Sequence, residues 1–227
     1  MLKLKTDRGV GSSTLKRGFF KFATVGAVAA SVATAGLPAA QAAEADDVIA
    51  NWSADAQKAA RGMMKIHGNP DEVTATMLVW HNSGPWKRII ASKNVTPHRF
   101  PMPHPDSVEQ TLSYRVPESK FDELARFDGS VNVDRTRGEL SARCDAETHN
   151  VLALNLAHDI ITGKRSVESA RAFYARVIQI EMQKKQLHPY MLSLNFTPMP
   201  QMKAADTDHV APMMRPMVRK MRAQGKM

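Results

Sequence analysis

The sequence predicts a single α+β domain whose strands pair largely antiparallel. Two segments each contain a pair of β-rich runs separated by a short turn-forming stretch, which is the pattern of a hairpin. A further run alternates apolar and polar residues with a period of two, and helical periodicity precedes and follows these strands. Short turns between strands favour antiparallel pairing, so we predict two hairpins and a further strand packed by about four helices.

The first half of this domain is predicted to contain a helix, a hairpin, an extended connector and a strand, over residues 53–67, 74–92, 97–105 and 108–116. Ser53 is placed to cap the helix, and Gly68 to end it. Residues 81–85 form the predicted five-residue loop of the hairpin. The connector holds four prolines, which favour an extended, polyproline-like backbone.

The second half is predicted to contain a short helix, a second hairpin and two long helices, over residues 119–128, 130–144, 145–162 and 166–186. Ser119, Asp145 and Ser166 precede the three helices, and each is a residue type that caps helix N-termini. Residues 191–227 change in character, with many methionines and few β-branched residues. We expect a mostly disordered or partner-ordered tail there, with a short helix over residues 213–224.

Residues 1–42 have the order of a cleavable export signal. A basic segment over residues 1–21 precedes an uncharged, alanine-rich stretch over residues 22–37, and Ala40–Ala42 offers small residues to a signal peptidase. The basic segment resembles the twin-arginine export motif, with Lys16 in place of the first arginine; general secretion is the alternative. We therefore expect a mature protein that begins at Ala43 and works in a bacterial periplasm or outside the cell.

Charge and cysteine content narrow the functional class. The chain carries a net charge of +9, but residues 43–183 hold 17 basic and 19 acidic residues, so the positive charge lies at the two ends. A nucleic-acid-binding domain concentrates positive charge on its folded body, and this distribution disfavours that function. A single cysteine excludes an internal disulfide framework and a cysteine-rich metal cluster.

The C-terminal tail is the first candidate site. Its candidate metal ligands are Met199, Met202, His209, Met213, Met214, Met217 and Met221. Thioether sulfur is a soft ligand that favours Cu(I), so copper is the metal this segment would bind. The alternative is an adaptable apolar stripe, with basic residues on its other face, that docks an envelope partner protein or contacts a membrane surface peripherally.

The first hairpin and the proline-rich connector form the second candidate site. His98 and His104 lie six residues apart in the connector, and His81 lies in the predicted hairpin loop. The two imidazoles of the stiff connector, with His81 as a third ligand, could bind Zn²⁺ or Cu²⁺, or serve a small enzyme. Trp80 and Trp86 bracket the loop and are candidates to line a ligand pocket beside these histidines.

Cys144 is a third candidate, with Glu147, His149 and His158 in the helix that follows it. A thiol, a base and an orienting acid are the groups that nucleophilic thiol chemistry requires. The alternative is a buried, inert thiol, because Cys144 shares the apolar face of its predicted strand with Leu140.

From these patterns we expect an exported, non-catalytic protein that binds an envelope or periplasmic partner through its methionine-rich basic tail. Two alternatives stay open. One is a periplasmic protein that binds or delivers copper, and the other is a small enzyme built around the histidines of the hairpin and the connector.

Overall fold

The computed structural model describes residues 44–198 and 210–226. The predicted fold class is confirmed, since helices pack on one antiparallel sheet. The strands are β1 (Glu72–Val73), β2 (Met77–Ser83), β3 (Trp86–His98), β4 (His104–Ser113), β5 (Val131–Asp134) and β6 (Glu139–Cys144). Their order in the sheet is β1-β2-β3-β4-β6-β5, so the predicted hairpins and the further strand join into a single six-stranded sheet.

The helices are α1 (Ala54–His67), α2 (Phe121–Phe127), α3 (Glu147–Ile161), α4 (Val167–Lys184) and α5 (Arg215–Ala223). Residues 44–49 are also helical. Ser53 and Ser166 cap α1 and α4 as predicted, each accepting a hydrogen bond from a backbone N–H in the first turn. Asp145 and Ser119 are not caps. The cap of α3 is Ala146, and Ser119 lies within a 3₁₀ turn over Glu118–Lys120.

Helix α3 lies at the centre of the core, and ten of its fifteen residues are buried. Its polar side chains bond to the surrounding elements. Asn150 donates to the Val108 carbonyl and to Gln110 Oε1 in β4, at 3.1 and 3.0 Å. Glu147 lies 2.5 Å from His67 Nε2 and accepts from Gln110 Nε2 at 2.7 Å. Helices α1 and α3 therefore meet over β4 through hydrogen bonds, although Asn150 Oδ1 has no partner among the described residues.

The proline-rich connector forms part of a hairpin, which corrects the prediction. Strand β3 continues through Pro97 to His98, and β4 begins at His104, so only residues 99–103 form the turn. Pro97 lies directly opposite Pro105 in the register. Neither proline has a backbone N–H, so pairing them with each other leaves no donor unsatisfied in the ladder.

The first hairpin is also tighter than predicted. Strand β2 runs to Ser83, which pairs with Trp86, so the turn is two residues long instead of five. Gly84 has a φ of 57°, a conformation that glycine adopts without steric cost. His81 is consequently a strand residue paired with Arg88.

Packing on the domain extends past residue 190, where we predicted the tail to begin. The Asn155 side chain donates to the carbonyls of Tyr190 and Ser193, both at 2.9 Å, and accepts from the Asn195 N–H at 2.7 Å. Phe196 stacks on His158 with ring centroids 4.3 Å apart. One buried amide thus fixes the segment that follows α4.

The predicted tail helix is present as a 3₁₀ turn over Pro212–Met214 followed by α5, and none of the residues of α5 is buried. Within residues 44–198 and 210–226, no helix combines the length and apolar character needed to cross a membrane. The predicted export signal lies outside the described residues.

Candidate metal centre

The turn between β3 and β4 and the end of β6 bring together the candidate metal ligands. His98 pairs with His104 across the hairpin, and their ring centroids are 4.8 Å apart. Cys144 is the last residue of β6 and pairs with Val108 of β4. Two ligand groups result, and within each group the donor atoms lie within 4.8 Å of one another. We call them together the His/Asp/Cys cluster: His98, His104, Asp106, Cys144, Asp145 and His149.

His104 joins the two groups. Its Nδ1 lies 2.8 Å from the Met102 carbonyl, which can only accept, so Nδ1 carries a proton. Nε2 then faces Cys144 Sγ at 3.3 Å and Asp106 Oδ1 at 3.2 Å. A histidine that donates one ring N–H to a carbonyl and directs its other nitrogen at a thiol and a carboxylate is oriented as metal-binding histidines are.

Asp106 is 1% exposed, yet it is only half satisfied. Its Oδ2 accepts from the Ser130 hydroxyl, with Arg143 Nε at 3.8 Å. Its Oδ1 has no aligned hydrogen-bond donor among the described residues, although His104 Nε2 is close. A buried carboxylate oxygen without a donor is costly, and either a proton on His104 or a cation removes that cost.

Acidic groups surround the cluster. Asp128 lies 3.4 Å from His98 Nε2, and burial raises the pKa of Asp128, with a further contribution from Asp106. The contact with Asp106 raises the pKa of His104, against the opposing effect of burial. The contribution of Asp106 to both shifts reflects the acidic surroundings of the cluster.

His149 is held between two carboxylates. Its Nδ1 lies 2.6 Å from Asp145 Oδ1, and its Nε2 lies 3.0 Å from Glu181 Oε2 in α4. Burial opposes protonation of His149, but hydrogen bonds to both acids outweigh that effect and raise the pKa of His149. Burial likewise opposes ionisation of Asp145, but His149 outweighs it and lowers the pKa of Asp145.

Cys144 is unsuited to act alone as a nucleophile. Its side chain is buried, and burial together with Asp145 raises the pKa of the thiol well above its usual value. His149 is not available as its base, because both ring nitrogens contact carboxylates. A bound metal ion would reverse this situation, since coordination deprotonates a thiol outright.

An open cleft of about 500 Å³ lies over the cluster. His104, Cys144, Asp145, His149 and Glu181 supply its polar lining. The apolar lining comes from the β3–β4 turn, from α4 and from the residues that follow α4: Pro101, Met102, Tyr174, Ile178, Met182 and Leu187. A concave, mostly apolar site with a few converging polar groups is the usual form of a small-molecule site.

The structure separates His81 from the other two candidate histidines. His81 pairs with Arg88, which is ten residues along β3 from His98. That separation corresponds to roughly 30 Å of strand. The His81 side chain is 43% exposed and lies 2.6 Å from Glu72 Oε1. The expected three-histidine arrangement is therefore wrong in this respect.

Trp80 and Trp86 are core residues, 2% and 1% exposed, and they do not line the cleft over the cluster. Trp80 Nε1 donates to the Gly68 carbonyl at 3.0 Å. Trp86 Nε1 has no hydrogen-bond partner among the described residues. Their predicted role beside the histidines is therefore wrong, because the strand pairing directs both rings into the core.

The residues predicted to assist the Cys144 thiol are also separated in the structure. Glu147 contacts His67 and Gln110, and His158 bonds to the Tyr114 hydroxyl at 2.8 Å and stacks on Phe196. Of the three partners considered, only His149 lies in a ligand group with Cys144. Asp145, rather than Glu147, is the acid that contacts Cys144.

The candidate metal ligands of the tail fall into two sets. Met199, Met202 and His209 lie outside the described residues. Met213, Met214, Met217 and Met221 lie in the final 3₁₀ turn and α5, and Met213 is 84% exposed.

Sequence reasoning missed Asp106 and the pairing of Asp145 with His149. A signal for the second was present, because an acid and a histidine four residues apart at the start of a helix lie on one face. Comparison with protein-family models, with curated proteins and with solved structures finds no match to this chain.

Proposed function

We propose that this protein binds a divalent transition-metal ion at the His/Asp/Cys cluster, with His104, Asp106 and Cys144 as its ligands and Zn²⁺ as the best-matched ion. The observation that carries the proposal is the orientation of His104. Its protonated nitrogen is held by the Met102 carbonyl, and its other nitrogen faces both a buried thiol and a carboxylate oxygen that has no aligned donor.

The spacing of the donor atoms supports this proposal. With Zn–S near 2.3 Å and Zn–N and Zn–O near 2.0–2.1 Å, a tetrahedral ion places sulfur and nitrogen about 3.6 Å apart, and nitrogen and oxygen about 3.3 Å apart. The corresponding distances from His104 Nε2 are 3.3 Å to Cys144 Sγ and 3.2 Å to Asp106 Oδ1. The spacings of His104 Nε2 from its two neighbours are therefore already close to those of a tetrahedral zinc site.

The donor types select the metal. Thiolate and imidazole suit Zn²⁺ and copper, whereas an added carboxylate favours a divalent ion over Cu(I). The neighbouring acids Asp128, Asp145 and Glu181 also favour a cation with more than one charge. Three protein ligands leave one tetrahedral position for a water or a molecule from the cleft, as in catalytic rather than structural zinc sites.

Metal titration of the purified full-length protein tests the proposal. We expect one Zn²⁺ per chain with sub-micromolar affinity, and an affinity at least about 100-fold weaker in Cys144→Ala. His81→Ala is the matched control, because it removes a partly exposed histidine that already contacts a carboxylate but lies outside the cluster. Equal zinc affinity in Cys144→Ala and the wild-type protein would contradict the proposal.

A second proposal concerns the tail, where the expectation of partner binding is supported by α5. None of its residues is buried, Met217 in the helix is 49% exposed and Met214 just before it is 39% exposed, and its charged side chains are all basic. We propose that α5 docks into an acidic, apolar groove of a partner protein in the bacterial envelope. Peripheral contact with an anionic membrane is the alternative outcome of the test.

Truncation after Pro198 tests this second proposal and spares the segment fixed by Asn155. Co-purification of a partner that is lost on truncation supports it, and tail-dependent binding to anionic vesicles without a partner replaces it with the membrane alternative. Export is a proposal tested separately, by sequencing the amino terminus of protein recovered from the periplasm. An unprocessed cytoplasmic chain would contradict export.

A further inference from the structure

The cleft over the cluster has a polar floor and an apolar rim. Three large apolar side chains at its mouth are conspicuously exposed: Met102 at 39%, Met182 at 59% and Leu187 at 39%. Leaving such side chains in water brings no stability to the free protein. Methionine is an adaptable side chain that fits apolar ligands of varied shape, so the rim is suited to contact one.

The walls continue this apolar surface towards the cluster. Ile178 and Tyr174 project from α4, and Pro101 closes the side formed by the β3–β4 turn. A second, smaller cavity of about 280 Å³ shares Met102, Ile178 and Met182 with the cleft, so these side chains separate two apolar spaces. A molecule with an extended apolar part can therefore lie along α4 with its head at the floor.

We propose that the cleft binds an apolar molecule that carries one carboxylate, whose head group completes the coordination of the metal ion. This inference rests on the metal site proposed above. The volume of about 500 Å³ falls in the range of roughly 300–1,000 Å³ that small-molecule sites occupy. An aliphatic carboxylate such as octanoate is the simplest probe with this chemistry.

The charges around the floor set the order of binding. Asp145 and Glu181 line the cleft and repel an anion while the cluster is empty of metal. A divalent ion on His104, Asp106 and Cys144 reduces that repulsion and offers a position for a carboxylate oxygen. Lys185, which also lines the cleft, adds a positive charge there.

The experiment is calorimetric titration of the full-length protein with octanoate, with and without Zn²⁺, after the zinc affinity itself has been measured. We expect octanoate to bind only to the zinc-loaded protein and octanol to bind at least about tenfold more weakly. Affinity should rise about fourfold for each methylene added from butanoate to octanoate, because each methylene leaves water for the apolar wall.

Two substitutions locate the ligand in the cleft. Ile178→Trp fills the wall and should weaken octanoate at least tenfold while zinc affinity is kept, and Arg176→Trp on the exposed side of α4 is its matched control. Met182→Glu places a negative charge on an exposed rim position that folding tolerates, so it gives the same test if Ile178→Trp unfolds.

The outcomes separate this inference from the metal proposal. Zinc binding without octanoate binding overturns the ligand assignment and leaves the metal site standing. Octanoate that binds equally with and without zinc overturns the assignment of its carboxylate to the metal. Absence of zinc binding overturns both proposals.

Discussion

Buried acids lie at both ends of strands β3, β4 and β6, but the charged groups around them differ between the two ends. At one end Glu139, which is 5% exposed, accepts from Lys87 at 2.8 Å and from Arg88 at 3.2 Å. At the other end Asp106 has histidines around it, and its one permanently charged partner among the described residues is Arg143 at 3.8 Å.

The pKa shifts record this difference. Burial opposes the charge of Glu139, but hydrogen bonds from Lys87 and Arg88 outweigh it and lower the pKa of Glu139. At the other end burial raises the pKa of Asp128 and that of Cys144, whereas Asp145, which contacts His149, has a lowered pKa. A buried acid whose neighbours are lysine and arginine is already neutralised. One whose neighbours are histidine and cysteine keeps its capacity for an added cation.

Asp106→Asn should produce the largest effect, because it changes the end where no lysine or closely paired arginine neutralises the buried acids. The amide keeps the shape of the carboxylate but removes a charged ligand, so we expect zinc affinity to fall at least about 100-fold. The free energy of unfolding of the metal-free protein should change less than in Glu139→Gln. Zinc titration and urea denaturation measure the two effects. A strongly destabilised metal-free Asp106→Asn protein would show that both ends are structural.

Zinc itself should stabilise the folded protein by binding at the His/Asp/Cys cluster. Ligand at about 100 times its dissociation constant adds about 2.7 kcal/mol to the free energy of unfolding. For a chain of this size that raises Tm by roughly 5–10 °C, which differential scanning calorimetry measures. The increase should be absent in Cys144→Ala and retained in Glu139→Gln. A zinc-induced increase of the same size in Cys144→Ala would place the metal elsewhere.

Glu139→Gln changes the end of the strands where lysine and arginine neutralise the buried acid. It leaves Lys87 and Arg88 without their buried partner, and we expect a loss of about 1–2 kcal/mol, moderated because both cations are about a quarter exposed. Urea denaturation measures the loss, and Arg137→Gln is the control, because its ion pair with Asp134 is largely exposed. Zinc affinity should be unchanged; a weakened affinity would mean that the ends are coupled.

Lowering the pH should gradually remove the stabilisation that the ionised Glu139 provides. The pKa of Glu139 is lower in the folded protein than in the unfolded chain, so its stabilisation is complete above the unfolded value of 4.5 and is lost as pH falls through the folded pKa. The difference in unfolding free energy between the wild-type protein and Glu139→Gln should therefore shrink between about pH 5 and about pH 3. A difference that grows in this interval would contradict the lowered pKa.

Most of the fold could be predicted from the sequence because its signals are local. The cap at Ser53 and the stop at Gly68 depend on neighbouring residues, and both are observed. The alternation over residues 108–116 also predicted a strand, but β4 runs from His104 to Ser113 and is buried on both faces instead of one. The proline-rich segment was predicted less well. Whether prolines form a free connector or a hairpin depends on what lies opposite them, and Pro105 is the residue that makes Pro97 acceptable in a strand.

The candidate site was predicted only in part, because its contacts also join residues that are distant in the sequence. His98 and His104 are close in sequence, and the hairpin brings them together as neighbours. Cys144 reaches His104 across 40 residues, and Glu181 reaches His149 across 32, so no local pattern could join them. The register of β4 against β6 and the position of α4 decide these contacts.

The sequence by itself determined the elements, their order and the residue types available for chemistry, because hydrophobic periodicity, caps and turns act over a few residues. Only the tertiary structure decided which of those residues meet. It placed His81 far from His98, directed Trp80 and Trp86 into the core, and set a buried thiol against His104. Strand register and helix packing fix such meetings, and both depend on contacts between residues distant in the chain.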